Sequence, residues 1–238
     1  METLADVLAR DRRGDAPALA ADGRTAQRYD YRRFLTTAWK AGNFLHKQGV
    51  RTGDTVAVVG APRAQPVLAF LGASLLGAMT RFDPPTDVDA RALVAPADEL
   101  HRYDLPAGAQ YVGYGDDPTD PAHWYWEKEV WSENPTMPPE PAAPDDPILD
   151  DGERTYSHAD LLSGARWTRG YLSLSSDDRV VVRARLSHPG TVAAGVVAPL
   201  LVGAAIRLEP ADEGVVVVES ADAETDRSVR VEDVPLSA

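Results

Sequence analysis

Cysteine is absent from the chain and lysine is scarce, and both gaps exclude chemistry. Without cysteine there are no disulfides, no thiolate metal sites and no cysteine nucleophile, an economy that suits a reducing cytoplasm. The three lysines are Lys40, Lys47 and Lys128, so arginine carries nearly all the positive charge. No uninterrupted apolar run is long enough for a membrane span, and the opening segment METLADVLARDRRGDAP is interrupted by Asp6 and Asp11, unlike a signal peptide. Net positive charge is missing as well. A formal charge of -13 argues against a nucleic-acid or anionic-membrane surface, which needs clustered Lys and Arg. Small polyanions such as ATP stay open. The arginine-for-lysine bias and the abundant aspartate are expected of a proteome adapted to high salt, the alternative being a GC-rich genome.

What is present is a repeated unit. From Asp178 to Pro210 the chain reads as strand, turn, buried helix, Gly-Ala break and strand, and Asp54 to Pro84 has the same order with its own break at Gly77-Ala78, matching Gly203-Ala204. A strand-helix-strand unit of this reach favours a parallel pair with a crossover helix. The fold class expected is therefore α/β, two related strand-helix-strand halves with mostly parallel sheets flanked by helices. At 238 residues such a chain buries a substantial core without staples.

In order, Leu4, Val7 and Leu8 predict a short amphipathic helix, and Ala18 to Ala21 a strand followed by a turn at Asp22-Gly23. Asp30 is a fitting N-cap for a helix whose face is Phe34, Leu35, Ala38, Gly42 and Leu45, closed by Gly49. Val56 to Val59 predicts a strand, Val67 to Leu76 a helix apolar on nearly every side, and Met79 to Phe82, Ala92 to Ala95 and Gln110 to Tyr114 further strands. The proline-rich stretch 134–147 reads as a linker. The expected organisation is a first half at 1–133, that linker, a second half at 148–211 and a C-terminal strand or hairpin tail at 212–238, with Asp222 to Asp226 as the loop of the hairpin. Past the linker, Ser157 with Asp160 resembles a capping box, and Leu161, Leu162, Ala165, Thr168 and Leu172 form the inner face of the next helix. In Thr191 to Val202, Pro199 is expected to kink the helix or shorten it.

The segment Gly49-Val50-Arg51-Thr52-Gly53-Asp54-Thr55-Val56-Ala57, then the buried helix, Leu76-Gly77-Ala78 and Pro84, resembles the N-terminal domain of adenylate-forming enzymes, the AMP-binding and acyl-CoA synthetase superfamily. Ser157-His158-Ala159-Asp160-Leu161-Leu162 resembles the helix start that follows the family's phosphate loop. Leu186-Ser187-His188-Pro189-Gly190 resembles the turn that helps line its substrate pocket. The resemblance implies Ser187, His188 and Gly190 as substrate-pocket residues, and a crevice at the carboxyl ends of the strands between the two halves.

One departure matters more than these matches. The family's phosphate loop is rich in Ser, Thr and Gly and ends in Pro-Lys-Gly, whereas this chain reads Asp145-Asp146-Pro147-Ile148-Leu149-Asp150-Asp151-Gly152-Glu153-Arg154-Thr155-Tyr156. No gap placement restores the motif, and no lysine follows Lys128. The family's adenine- and ribose-gripping motifs, and the small domain bringing its adenylation lysine, are expected beyond Pro210, where this sequence has a short tail. Losing the loop and both lysines removes the electrostatic part of adenylation. The expectation is a noncatalytic relative that binds, regulates or scaffolds a protein partner or associates with itself, with no catalytic residues and no cofactor beyond a residual acyl or nucleotide ligand. The alternative is an enzyme: one part of a split acyl-CoA ligase completed by another chain.

The individual residues carry two readings each. His188 is a pocket residue or a histidine satisfied at the end of a buried strand. His158, at a helix N-terminus where the dipole disfavours the imidazolium, reads as neutral packing or capping. Trp124, Tyr125, Trp126 and Trp131 are an interaction surface or the packing of a short helix on its sheet. Asp145, Asp146, Asp150 and Asp151 match no metal-loop spacing and read as a solvated acidic loop, so no metal site is assigned. No nucleophile elbow, paired histidine motif, Rossmann fingerprint or Walker lysine occurs, and YVGYG at 111–115 is too poor in glycine to cradle a phosphate.

Overall fold

The computed structural model describes residues 1–21, 27–138, 142–208, 214–219 and 227–236. The expected turn at Asp22-Gly23 and loop at Asp222 to Asp226 lie outside them. Two compact units interleave along the chain: Met1–Leu35, Pro62–Ala64 and Tyr156–Ala238 form one, Thr36–Ala61 and Gln65–Thr155 the other. The consecutive halves expected from sequence are not what the chain makes. The proline-rich stretch lies wholly inside one unit, because the strand after it pairs with the strand at 79–82 instead of opening a new sheet.

The first unit opens with helix α1 (Leu4–Val7), whose Leu4 and Val7 are buried, and strands β1 (Pro17–Ala21) and β2 (Gln27–Asp30). Helix α2 (Tyr31–Lys47) begins where the Asp30 carboxylate accepts the Arg33 N–H at 2.6 Å, so Asp30 is the N-cap that its position predicts. The second unit holds β3 (Thr55–Val58), α3 (Ala64–Ser74), β4 (Met79–Phe82), β5 (Ala92–Pro96), β6 (Gln110–Tyr114), β7 (Trp124–Tyr125), α4 (Trp126–Ser132) and β8 (Pro147–Asp150), and ends in β9 (Thr155–Ser157). The order in the sheet is β7-β6-β5-β3-β4-β8-β9, and β3 pairs in parallel with both β4 and β5. Because the sheet's inner strands are covered, they read as continuous apolar runs; Val56, Ala57 and Val58 are all fully buried. Val67, Leu68, Phe70 and Leu71 of α3 are buried too, and the Phe70 ring sits 6.0 Å from Phe82 of β4.

The first unit resumes with α5 (His158–Leu172), β10 (Arg179–Val182), α6 (Pro189–Thr191), a π-helical segment Val192–Val197, α7 (Ala198–Val202), β11 (Ala205–Arg207), β12 (Val215–Val218) and β13 (Ser228–Arg230). Its sheet runs β13-β12-β10-β11-β1-β2. Every pairing is parallel except β1 with β2. Of the two readings of the tail, the strand stands and the hairpin does not: β12 lies parallel to β10 and to β13, with Val216 opposite Ser228, which places the buried Val215, Val216 and Val217 in the interior of the sheet. Pro199 stands in the opening turn of α7, where the expectation that it interrupts the helix from its N-terminal side places it. The run from 189 to 202 continues, and the turn before the proline widens to π spacing, which relieves the missing N–H and the ring clash with the preceding carbonyls.

Both repeats are realised. β3 and β4 flank α3 as parallel neighbours, and β10 and β11 flank the helical run 189–202 in the same way. Each helix stops at a left-handed glycine, Gly77 at φ 64° and Gly203 at φ 84°, a conformation that a side chain would strain. Among the described residues no helix is long and apolar enough to cross a membrane.

Candidate functional site

The turn from β8 to β9 occupies the place where sequence reasoning puts the altered phosphate loop. Asp150, the last residue of β8, lies opposite Arg81 of β4, and the two side chains form an ion pair at 3.0 Å. The other oxygen of Asp150 accepts the Gly152 N–H at 2.7 Å. Asp151 accepts the next two amides, Glu153 and Arg154, each at 2.9 Å. Its own N–H donates to the Arg154 carbonyl at 3.2 Å, closing the turn. Gly152 has no Cβ, and the Arg81 guanidinium takes the space that one would fill.

Three consecutive amides are thus directed at carboxylates of the same turn. Successive amides of this kind make a site for phosphate oxygens when they are open. Here two aspartates already supply the anions, and an incoming triphosphate would have to displace them while meeting their charge. Asp146 serves a separate turn, accepting the Ala143 N–H at 2.7 Å. Among the described residues no three His, Cys, Asp or Glu side chains converge as a metal site.

The turn leads into α5 through the expected capping box. Ser157 Oγ accepts the Asp160 N–H at 3.2 Å, and Asp160 accepts the Ser157 N–H at 2.8 Å. The five residues of the expected inner face, Leu161, Leu162, Ala165, Thr168 and Leu172, are all buried. His158 is fully buried, and its Nδ1 accepts the Leu4 N–H at 3.1 Å, so the ring is unprotonated there and ties α1 to α5.

Ser187, His188 and Gly190 stand together at the start of the helical run that follows β10. His188 is half-buried and caps the run, its Nδ1 accepting the Gly190 N–H at 3.1 Å. Gly190 is buried, and a Cβ there would collide with the Val231 carbonyl. The chain's own C-terminal segment therefore fills the space beside this turn, a contact that nothing in the Ser-His-Pro-Gly sequence foretells.

Residues 8–82 match the family model of AMP-binding enzymes. The anthranilate CoA ligase AuaEII, solved with anthranoyl-AMP, superposes with a TM-score of 0.74 at 22% identity, over 88% of this chain and 45% of its own. This chain has the fold of an adenylate-forming ligase's N-terminal domain. A benzoate CoA ligase from Burkholderia xenovorans LB400 shares that fold at TM-score 0.69 and 19% identity, over 86% of this chain and 45% of its own. The N-terminal domain of FACL13 from Mycobacterium tuberculosis does so at 0.70 and 16%, over 87% and 57%. The chain spans a little under half the length of the two ligases. No curated protein matches its sequence. The family match covers the first strand-helix-strand unit and stops short of the β8–β9 turn.

In the adenylate-forming fold of this chain, the aromatic run divides between both of its readings. Trp126 is buried, edge-on to Phe44 at 6.2 Å and 83°. Tyr125 is half-buried, and its hydroxyl pKa is raised, first by burial and then by the charges of Glu127, Asp117 and Asp116. Trp124 and Trp131 face solvent, Trp131 with 76% of its surface exposed. Lys40 donates to the Trp131 carbonyl, and its ammonium lies 5.2 Å from the centre of that indole.

Proposed function

We propose that this chain is a noncatalytic relative of the acyl-CoA synthetases, acting as a binding, regulatory or scaffolding partner of another protein or of itself. The observation that carries the reading is the β8–β9 turn, where the amides of Gly152, Glu153 and Arg154 are held by Asp150 and Asp151. Adenylation requires that the α-phosphate charge be stabilised as the carboxylate attacks it. Here the preorganised donors are already spent, the neighbouring guanidinium of Arg81 is paired with Asp150, and no lysine lies between Lys128 and the end of the turn. Ser187, His188 and Gly190 are read as remnants of a substrate pocket, able at most to hold an acyl or nucleotide ligand without reacting it. A protein without cysteine and with a charge of -13 suits a reducing, salt-rich cytoplasm.

The test is carboxylate-dependent ATP–pyrophosphate exchange by the purified protein across a panel of aryl and fatty acids. No exchange above the protein-free background is expected, and exchange that depends on an added acid refutes the reading. The second reading is a split ligase. It requires a co-purifying chain that brings a lysine and phosphate-binding groups. Native mass spectrometry from the source organism identifies any such chain, and one lacking those groups removes the split ligase from consideration.

A further inference from the structure

Helix α4 has two faces. Trp126 and Val130 are buried, as is Glu133 at the C-cap, while Lys128 and Trp131 are exposed; Trp124, on β7 just before the helix, is exposed as well, its indole N–H donating to Gln110 at 2.9 Å. Two exposed indoles, one on a short helix and one on the strand just before it, are costly to leave in water, and aromatic side chains dominate the centres of protein interfaces.

Charge divides along the same helix. At its C-terminal end the ammonium groups face outward and the carboxylates inward: Lys47 is 66% exposed against 5% for its partner Glu133, and Lys40 stands over Trp131. At its N-terminal end the loop carrying the exposed Asp116, Asp117 and Asp120 is tied to the helix by the Gly115 N–H, which donates to Glu127 at 3.0 Å. The acidic and basic ends are about 10 Å apart, the length of a seven-residue helix. A surface that is acidic at one end and basic at the other complements its own copy when the two run in opposite directions.

We propose that Lys128 and Trp131 of α4, with Trp124 at the end of β7 beside them, form the contact surface of a two-fold homodimer in which α4 of one copy lies antiparallel to α4 of the other. Trp124 of each copy then neighbours Trp131 of its mate, and the aspartates of each loop face the mate's Lys40 and Lys47. Lys128 falls near the axis, where Glu129, 3.8 Å away in its own chain, supplies the counter-charge. The contact is small, so the affinity expected is in the range of about 1 to about 100 µM. The proposal rests on the reading of the chain as a binding protein and names its partner.

Sedimentation velocity of the full chain from about 1 to about 300 µM tests it. The expected result is a concentration-dependent shift from the 25.7 kDa monomer to a dimer. Trp131→Ala should weaken the dimer by about tenfold or more while leaving thermal unfolding unchanged, since the indole is exposed. Lys40→Glu alone and Asp117→Lys alone should each be monomeric. An equimolar mixture of these two should associate again, because both contacts across the axis then join opposite charges. A wild-type monomer throughout the range, a dimer indifferent to Trp131→Ala, or failure of the mixed variants to associate overturns the proposal. So does stable association only with an acidic protein other than this chain. The readout is mass, so a monomer without pyrophosphate exchange refutes the dimer alone, and a dimer with exchange refutes the noncatalytic reading alone.

Discussion

Between Thr55 and Phe82, and again between Arg179 and Arg207, the chain makes a parallel strand pair with a buried helix between, yet the two helices meet their neighbours in different ways. In the first, Gly72 of α3 lies against backbone: a Cβ there would stand 2.7 Å from the Gly42 nitrogen and 2.9 Å from the Ala41 carbonyl carbon of α2. In the second, Gly195 faces side chain, with a Cβ 2.9 Å from a methyl group of Val182 on β10. The first helix is regular and carries Pro66 in its opening turn, where no N–H is required; the second absorbs Pro199 by widening to π spacing. One hydrophobic pattern therefore builds one architecture twice, while the local chemistry inside it is free to differ. The entry to the second repeat shows the same freedom on a larger scale. A turn closed by its own aspartates leads into α5 and the second repeat without disturbing the capping box.

The largest expected effect that sharpens this contrast is Phe70→Ala in α3. It removes a fully buried ring from contact with Phe82 and should cost about 3 to 5 kcal/mol, whereas Val197→Ala in the second helix, losing two methyl groups, should cost about 2 kcal/mol. Urea denaturation of the two variants measures the difference, and equal losses would mean that the helices are packed alike. Next is Gly72→Ala, expected to destabilise by about 3 kcal/mol because two helix backbones must part. Gly195→Ala should cost less than about 1 kcal/mol, since the Val182 methyl can rotate and alanine favours the helix. A reversal of that order would contradict the distinction between backbone and side-chain contact.

The smallest effect concerns how the second repeat is held at its start. The Asp178 carboxylate accepts a hydrogen bond from Arg227 at 2.7 Å, and this contact, ahead of its bonds from Ser175, holds its pKa below the ordinary aspartate value. A carboxyl whose folded pKa is depressed contributes stability above its unfolded pKa and loses it as the pH falls through the folded value. Asp178→Asn should therefore cost about 1 to 2 kcal/mol at neutral pH, and the gap to the unaltered protein should close below the aspartate range. Denaturation curves at both pH values check this; a gap that persists in acid would mean that the loss is steric.

The elements of both repeats were legible because their cues are local. Apolar runs, caps and Gly-Ala breaks placed α2, α3, β3, β4, α5 and β10 to within a few residues. Sheet order was not legible, because four-residue strands such as Pro147–Asp150 and Val215–Val218 carry no record of their partners; pairing is decided by long-range contacts across the finished sheet. That is why the linker misled as a boundary and the tail as a hairpin. At the turn, the sequence disclosed the loss of Pro-Lys-Gly but not what replaced it. The signal was there in Asp150-Asp151-Gly152, since aspartate side chains take up backbone amides two residues on, but whether they do so or face solvent depends on rotamers that only the folded turn fixes.

The central claim is that this turn is already occupied by its own carboxylates. It is tested most directly by following the backbone amide resonances of Gly152, Glu153 and Arg154 while Mg·ATP is titrated into the protein. The account predicts that all three stay where they are at every concentration, and a saturable shift of these amides would contradict it.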